Sequence, residues 1–468
     1  MAEDPITMSQ SPLTAVEAAG QIRDGIISAE ELVTVCLDRI AAVEPEVQAW
    51  AHLDPEHALK QARLRDQARS AGMPLGPLHG LPVGIKDIID TRDFPTENGT
   101  PLDRGRQPSE DSRVVALLRE AGAVIMGKTV STELAVYTPG KTRNPHNLEH
   151  TPGGSSSGSA AALAAGMVPL AVGTQTNGSV IRPASFCGVC GYKPSHGAIS
   201  RHGMLCQSPP LDTVGVFAQS VDDLALIGDA LQVYDERDPD MQPRARPRLA
   251  EIAAEAPAAT PSFAFVRSPV WERASEDTRA AFAELTEVLG GVCESVELPE
   301  PFEEALALHG TIMFADIARN FAGYYDRGKD ALSPRLRSII EEGQEVLAID
   351  YNRARDWVRV LNAALEEIFE RYDAILTPAT AGEAPKGLET TGDPAFCTLW
   401  TLCGTPAVSL PLLTGSRDLP IGVQLVGRRG EDGRLLRNAR WLVRRTLELA
   451  EAMELAEPAA MTAEASES

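Results

Sequence analysis

The chain lacks a surplus of positive charge. Its 468 residues hold 43 Lys and Arg against 66 Asp and Glu, which gives a formal net charge of −23 at pH 7. A nucleic-acid ligand needs cationic side chains that neutralise its phosphates, so this balance argues against nucleic acid and against an anionic membrane surface. Lysine in particular is scarce, because only seven of the cations are Lys. A lysine inside an apolar segment is therefore unusual in this chain.

The chain also lacks a disulfide framework and a long apolar run. Its seven cysteines are an odd number and are scattered from Cys36 to Cys403, which favours a reducing compartment. The opening "MAEDPITMSQ" has no apolar core of a signal peptide. The run "AALAAGMVPLAV" at 161–172 is shorter than the roughly 20 residues of a membrane span. We therefore expect a cytoplasmic protein that binds no membrane.

The order of apolar patterns predicts the fold class. Helical patterns with a capping-box signal at Ser28 give way to short buried runs such as "LPVGIKDII" and "MVPLAVGTQT", which alternate with helices. This alternation predicts an α/β fold, a single large domain with a mixed, mostly buried central β-sheet covered by helices on both faces. We predict one domain at 1–454 and a disordered tail at 455–468. The domain begins with a helical part at 12–71, whose second helix ends at Pro45, and continues with a catalytic core at 75–235. A Pro/Ala-rich surface excursion at 236–262, a helical pocket region at 273–372, and returning strands with a final helix at 373–454 follow.

Lys86 lies within the apolar strand pattern "LPVGIKDII". One interpretation is structural, since the ammonium group could reach the surface or pair with Asp87 or Asp90. The other is chemical, because burial disfavours the charged form of lysine and lowers its pKa. A neutral lysine can then act as a general base.

Two further stretches combine hydroxyl groups with permissive backbone. "HTPGGSSSGSAAALAAG" at 150–166 runs from Gly and Ser directly into a small-residue helix, which suits a packed loop better than a flexible linker. "GTQTNGSVIRPASFCG" at 173–188 follows a strand, and a sharp turn there would aim backbone N–H groups at one point. Each stretch alone is also compatible with an ordinary loop or β-turn. No "GxSxG" elbow surrounds Ser179, so an α/β-hydrolase is disfavoured.

Taken together, "PLHGLPVGIKDIID", the block from His150 to Ser195 and "GTPAVSLPLLTGSRDLPIGVQLVG" resemble the amidase signature family of serine hydrolases. The resemblance extends from about residue 10 to 450. It implies the amidase signature fold and a Ser–cis-Ser–Lys triad, in which Lys86 is the base, Ser155 the cis-serine and Ser179 the nucleophile. It further implies an oxyanion hole built from the backbone N–H groups of Thr176, Asn177, Gly178 and Ser179, with no metal or organic cofactor.

Three positions depart from the usual "GTDTGGSIRIPAS" turn of that family. Gln175 replaces a common Asp, Asn177 replaces a Gly, and Arg182 lies one place later than the usual Arg. The three catalytic positions are unaffected. We expect Gln175 and Arg182 to form a rearranged support behind the nucleophile turn. The same departures make a transamidosome subunit less compatible with the sequence.

The resemblance implies an amidase that hydrolyses the carbon–nitrogen bond of a small linear amide through an acyl-enzyme on Ser179. A hydrolase of carbamate or urea-type bonds is an alternative, because the same triad would serve it. The amidase subunit of an RNA-directed amidotransferase would need a partner protein, and a non-enzymatic binding module would not need the triad. A homodimer is left open. Apolar and aromatic residues at 313–326 suggest an apolar acyl group.

Overall fold

The computed structural model describes the backbone of residues 13–464 and the side chains of residues 13–452. Eleven strands form one sheet in the order β1-β3-β2-β4-β6-β5-β10-β11-β9-β7-β8. The strands are β1 (Trp50–Leu53), β2 (Pro82–Lys86), β3 (Val124–Thr129), β4 (Leu170–Gln175), β5 (Cys190–Lys193), β6 (Thr213–Ala218), β7 (Phe263–Val266), β8 (Cys293–Val296), β9 (Ala374–Pro378), β10 (Ala407–Thr414) and β11 (Pro420–Val426).

Fifteen α-helices accompany the sheet within the described residues. They are α1 (Ala15–Asp24), α2 (Ala29–Val47), α3 (Pro55–Ser70), α4 (Arg113–Glu120), α5 (Ser157–Ala164), α6 (Ile181–Phe186), α7 (Val221–Leu231), α8 (Leu249–Ala254), α9 (Glu276–Leu289), α10 (Ala305–Asn320), α11 (Ala322–Gly328), α12 (Pro334–Gln344), α13 (Ala348–Phe369), α14 (Ala395–Leu402) and α15 (Asp432–Glu464). Within this described part, no helix is long and apolar enough to cross a membrane.

The sheet is mixed, and both of its faces are covered. β2 pairs in parallel with β3 and β4, whereas β4 and β6 run antiparallel. Successive side chains of a strand point to opposite faces, and Val83 and Ile85 lie in one apolar cluster with α1, α4, α7 and α15. The opposite face packs against α2, α3 and α5 on one half and α10 to α14 on the other. The predicted fold class is confirmed.

Several predicted boundaries differ from the structure. Helix α2 continues past Pro45 to Val47, because a proline this close to a helix end removes little of the hydrogen-bond ladder. Strand β2 ends at Lys86 rather than at Ile89, since the N–H groups of Ile88 and Ile89 turn back to the carbonyl of Lys86 at 2.8 and 3.0 Å. β1 lies in a region predicted to be helical.

The predicted segment boundaries stay predictions. Helix α8 lies within the excursion at 236–262, and its Leu249 and Ala253 are buried against the core. Helix α15 runs into the tail predicted to be disordered at 455–468, of which residues 465–468 lie outside the described part of the chain. The capping box of α2 forms as expected, with Ser28 and Glu31 bonded reciprocally.

Candidate active site

Lys86 lies at the end of the central strand β2 and is fully buried. Its Nζ donates to Ser155 Oγ at 2.7 Å and to Thr174 Oγ1 at 2.8 Å. Burial holds the pKa of Lys86 well below its ordinary value, and the carboxylate of Asp212 opposes part of that shift. Both bonds go to neutral hydroxyls. Among the described side chains, no carboxylate lies within 4.0 Å of this lysine. Its neutral form is therefore favoured.

Ser155 lies in a packed loop in front of α5, and the Gly154–Ser155 peptide bond is cis. Hydrogen bonds between close neighbours fix the loop. Ser157 Oγ donates to the carbonyl of Gly153 at 2.7 Å, and Ser156 Oγ donates to the carbonyl of Thr174 at 3.2 Å. The Gly/Ser run is therefore a rigid scaffold that fixes the position of the Ser155 hydroxyl.

Gly158 shows why the run contains glycine where α5 begins. A Cβ at this position would overlap the backbone of Ala49 and Val130. The N–H of Gly158 also donates to the carbonyl of Val130 at 2.9 Å. Helix α5 can therefore approach the sheet closely only if residue 158 has no side chain.

Ser179 lies in the turn between β4 and α6 and is 8% exposed. The side chain of Gln175 supports this turn through three hydrogen bonds. Its Oε1 accepts the N–H groups of Val180 and Ile181 at 2.8 and 3.0 Å, and its Nε2 donates to Thr401 Oγ1 at 2.9 Å. A neutral amide thus caps the start of α6, directly after Ser179.

The carbonyl groups of the turn are each held by a donor. His309 Nε2 donates to the carbonyl of Thr176 at 2.9 Å, Thr401 Oγ1 donates to that of Asn177, and the N–H of Arg182 donates to that of Gly178 at 2.9 Å. In a trans peptide the C=O and N–H point in opposite directions. The N–H groups of Asn177, Gly178 and Ser179 therefore point away from these anchors, and none has an intramolecular acceptor within the described residues.

Arg182 connects the turn of Ser179 to the loop of Ser155. Its guanidinium is buried and donates to the carbonyl of Gly154 at 2.7 Å, the carbonyl of Gly392 at 2.7 Å and Thr391 Oγ1 at 3.0 Å. Among the residues whose side chains are described, no carboxylate pairs with it within 4.0 Å, and burial lowers its pKa. Arg182 and Gln175 share no hydrogen bond, since Gln175 bonds the start of α6 and the Arg182 guanidinium bonds the segments at Gly154 and 391–392.

The structure brings Lys86 and Ser155 into direct contact, and Arg182, three residues after Ser179, bonds the carbonyl of Gly154 next to Ser155. Within the described side chains, no hydrogen bond joins the hydroxyls of Ser155 and Ser179. The four residues predicted for the oxyanion hole form one continuous turn. The N–H groups of Asn177, Gly178 and Ser179 point away from the donors that hold the carbonyl groups of this turn.

Sequence reasoning missed Asp212, which lies behind the turn. The carboxylate is buried and accepts Thr176 Oγ1 at 2.6 Å and the N–H groups of Gln207 and Ser208 at 2.8 and 3.1 Å. Burial raises the pKa of Asp212 to about 6. A carboxylate directly in front of the apolar strand "TVGVFA" was the available signal.

Sequence reasoning also gave no role to His309, although it contacts the turn. Burial lowers the pKa of His309 to about 4, so its ring is neutral near pH 7 and acts here as a hydrogen-bond donor to the Thr176 carbonyl.

Over the part of the chain that is described, no three His, Cys, Asp or Glu side chains converge as a metal site would require.

Comparisons with known proteins identify the family of the chain. The family model described as Amidase matches residues 31–436. The A-subunit of glutamyl-tRNA(Gln) amidotransferase from Moorella thermoacetica is 34% identical, with 91% of this chain and 95% of the relative covered. The protein of the same name from Symbiobacterium thermophilum is 35% identical, with 89% and 93% covered.

Solved structures extend the likeness to three dimensions. The peptide amidase from Stenotrophomonas maltophilia has a TM-score of 0.81 and 28% identity, with 92% of this chain and 96% of that chain covered. A 6-aminohexanoate cyclic dimer hydrolase bound to substrate has a TM-score of 0.82 and 26% identity, with 94% and 98% covered. The chain belongs to the amidase signature family and is an enzyme that acts on amide carbon–nitrogen bonds.

Proposed function

We propose that this chain is a stand-alone amide hydrolase in which Ser179 is the nucleophile and Ser155 and Lys86 carry its proton. The 2.7 Å contact between Lys86 Nζ and Ser155 Oγ, made in a fully buried site, is the observation that supports this most strongly. A lysine that is buried without a carboxylate partner exists mainly as the neutral amine, which is the form a general base requires.

In the proposed reaction, neutral Lys86 takes a proton from Ser155 as Ser155 takes one from Ser179. Ser179 Oγ attacks the amide carbonyl, and the developing oxyanion is bound by the N–H groups of the 176–179 turn. The proton returns through the same two residues to the leaving nitrogen, which departs as an amine or ammonia. Water then attacks the acyl-enzyme, again with the relay as base, and releases the carboxylic acid.

Gln175 and Arg182 hold the two reacting segments in place in this proposal. Gln175 Oε1 accepts hydrogen bonds from the N–H groups of Val180 and Ile181. With no acceptor among the described residues, the N–H groups of Asn177, Gly178 and Ser179 remain free to bind the oxyanion. Arg182 fixes the Gly154 carbonyl next to Ser155. A positive charge that close to the turn also favours the anionic tetrahedral intermediate.

The type of bond can be tested with a substrate panel. Wild-type protein would be given a fluorophosphonate probe and a panel of anilides, primary amides and aryl carbamates, beside Ser179→Ala. Ser416→Ala is the matched control, because Ser416 is a surface residue bonded to Asp277. We expect labelling and turnover to vanish only in Ser179→Ala, with amides turned over faster than carbamates. Faster turnover of carbamates would favour the alternative with carbamate or urea-type bonds. A folded wild type that is neither labelled nor active contradicts the stand-alone enzyme.

A second candidate is the amidase subunit of an amidotransferase. The 33–35% identity to A-subunits of glutamyl-tRNA(Gln) amidotransferase over most of the chain favours it. The departures at Gln175 and Asn177 and the acidic charge favour the stand-alone enzyme instead. Co-purification of a second protein that switches on hydrolysis of glutamine would identify the chain as such a subunit.

We place this activity in the cytoplasm, on small-molecule amides. All seven cysteines are free thiols, which is typical of a reducing compartment. Whether the enzyme acts as a monomer or as a homodimer stays open to a measurement of its mass in solution.

A further inference from the structure

A cavity of about 440 Å³ lies one layer of side chains away from the turn that carries Ser179. Two of its lining residues contact that turn. Tyr137 lines it and accepts a hydrogen bond from Asn177 Nδ2 at 3.1 Å, and Pro394 lines it next to Gly178. A ligand in this cavity would therefore be separated from the turn of the proposed oxyanion hole by the side chains of Tyr137 and Pro394 alone.

Four hydroxyl groups line this cavity. That of Thr138 is paired with Ser333 Oγ at 2.7 Å, and the oxygens of the other three each accept a hydrogen bond from the protein. Asn177 Nδ2 donates to Tyr137 Oη, Arg182 Nη2 to Thr391 Oγ1 at 3.0 Å, and the N–H of Gly392 to Thr390 Oγ1 at 3.1 Å. None of these three hydroxyls has an acceptor for its own proton among the described residues. A hydroxyl carries one proton, so each can donate to a ligand.

Asn177 holds the hydroxyl group of Tyr137 by a hydrogen bond. Its Oδ1 accepts Thr398 Oγ1 at 2.7 Å, so the amide cannot flip without losing that bond, and its Nδ2 is directed at Tyr137. The glycine that the family usually has at this place could make neither contact. The departure at Asn177 therefore has a structural consequence in the cavity.

Positive charge surrounds the same wall. The Arg335 guanidinium lines the cavity and lies 5.8 Å from the centre of the Tyr137 ring, while its nearest carboxylate, that of Glu342, is 3.9 Å away. Arg182 is held directly behind Thr391 and Gly392 without a carboxylate partner in the described part of the chain. Glu389 is the one acidic residue of the lining, and its side chain folds towards Gly387.

We infer that this cavity binds an anionic group of the substrate, a carboxylate attached to the acyl part of the amide. Hydrogen-bond donors and a guanidinium around one cavity match the acceptor-only chemistry of a carboxylate. An apolar acyl group would displace water from these donors without replacing its hydrogen bonds, which is unfavourable. None of the residues at 313–326 lines this cavity, and Met313, Ile317 and Phe321 are buried in the core. The inference rests on the proposed function for where the reacting carbonyl lies.

Binding to an inactive variant tests the inference without turnover. Ser179→Ala would be titrated by calorimetry with glutaramate and with pentanamide, two amides with equal numbers of carbon atoms that differ in the terminal carboxylate. We expect glutaramate to bind at least about tenfold tighter, in line with a hydrogen bond to a charged group. This preference is expected to fall at least about tenfold when Tyr137→Phe or Arg335→Gln is added. Tyr325→Phe is the matched control, because Tyr325 bonds Glu341 outside the cavity.

The outcomes separate this inference from the proposed function. Equal binding of the two amides, or a preference that survives both Tyr137→Phe and Arg335→Gln, overturns the anionic subsite. Arg335 is half-exposed, so its variant keeps the test valid where Tyr137→Phe does not fold. A preference that depends on these residues, in a protein whose wild type takes no fluorophosphonate, supports the subsite and contradicts the nucleophile.

Discussion

Lys86 is the residue on which the proposed chemistry depends. Its replacement by Met keeps the length and apolar stem of the side chain but removes the proton acceptor. We expect kcat for an amide to fall by roughly 10²–10⁴-fold, the usual contribution of a general base. Lys60→Met on the exposed face of α3 is the matched control and should leave kcat unchanged. Steady-state kinetics with one amide substrate distinguishes them, and equal losses in both variants would contradict the assignment.

The pH dependence should report the protonation of Lys86. The lysine must be neutral to accept a proton, so kcat/KM rises with pH along an acid limb as Lys86 loses its proton. Because burial lowers the pKa of Lys86, this limb should lie well below the ordinary value of 10.5. A limb near that ordinary value would mean that Lys86 is charged in the working enzyme.

Asp212 offers a separate test of the same base. Its negative charge raises the pKa of Lys86 against the effect of burial. Asp212→Asn removes that charge, so the protonated lysine becomes less favoured and the acid limb should move to lower pH. A pH profile of kcat/KM for the variant beside wild type measures the shift. Movement to higher pH would show that Asp212 does not act on Lys86 electrostatically.

The sequence predicted the residues proposed to react but not those that contact them. Lys86, Ser155 and Ser179 stand in recognisable motifs, and the structure places Lys86 in contact with Ser155. Asp212, His309 and Tyr137 reach the site from 36, 133 and 40 positions away from their partners in the turn. Separations of this kind are set by the packing of the fold, and no local pattern encodes them.

Helix α5 depends on the absence of a side chain at its start. Gly158→Ala would place a Cβ within the backbone of Ala49 and Val130. We expect unfolding free energy to fall by about 1–3 kcal/mol, the usual cost of overpacking. Gly20→Ala in α1 is the control, since nothing lies within 4 Å of its Cβ position, and it should stabilise by about 0.5–1 kcal/mol. Chemical denaturation measures both, and similar changes in the two variants would contradict the close approach of α5.

Elements with a clear period were predictable from the sequence, whereas the short strand β1 was not. The sequence "DSRVVALLREAGAVIMGKT" has the pattern of a helix, a glycine turn and a strand, and it forms α4 and β3. β1 has four residues, with only Trp50 buried, and forms through its antiparallel pairing with β3. A strand of that length carries too few alternations to be distinguished from the helices on either side of it.

The whole molecule is acidic, and its fold joins distant parts of the chain. The mixed sheet was predictable from alternating helices and strands, but its order was not, since β5 pairs with β10 across more than two hundred residues.

The net charge of −23 leads to a prediction about the whole molecule. The chain alone should not bind tRNA at physiological salt, because it lacks the cationic surplus that phosphates require. Anisotropy of labelled tRNA tests this, and submicromolar affinity would favour the role in an amidotransferase.

The most direct test of the central claim is to locate a covalent adduct and time its formation. Wild type, Ser155→Ala and Lys86→Met would react with a fluorophosphonate, and peptide mapping by mass spectrometry would identify the modified residue. The account predicts an adduct on Ser179, formed at least about 100-fold more slowly in both variants because the nucleophile has lost its base. An adduct on another serine, or labelling of Ser179 at an unchanged rate in Lys86→Met, would contradict it.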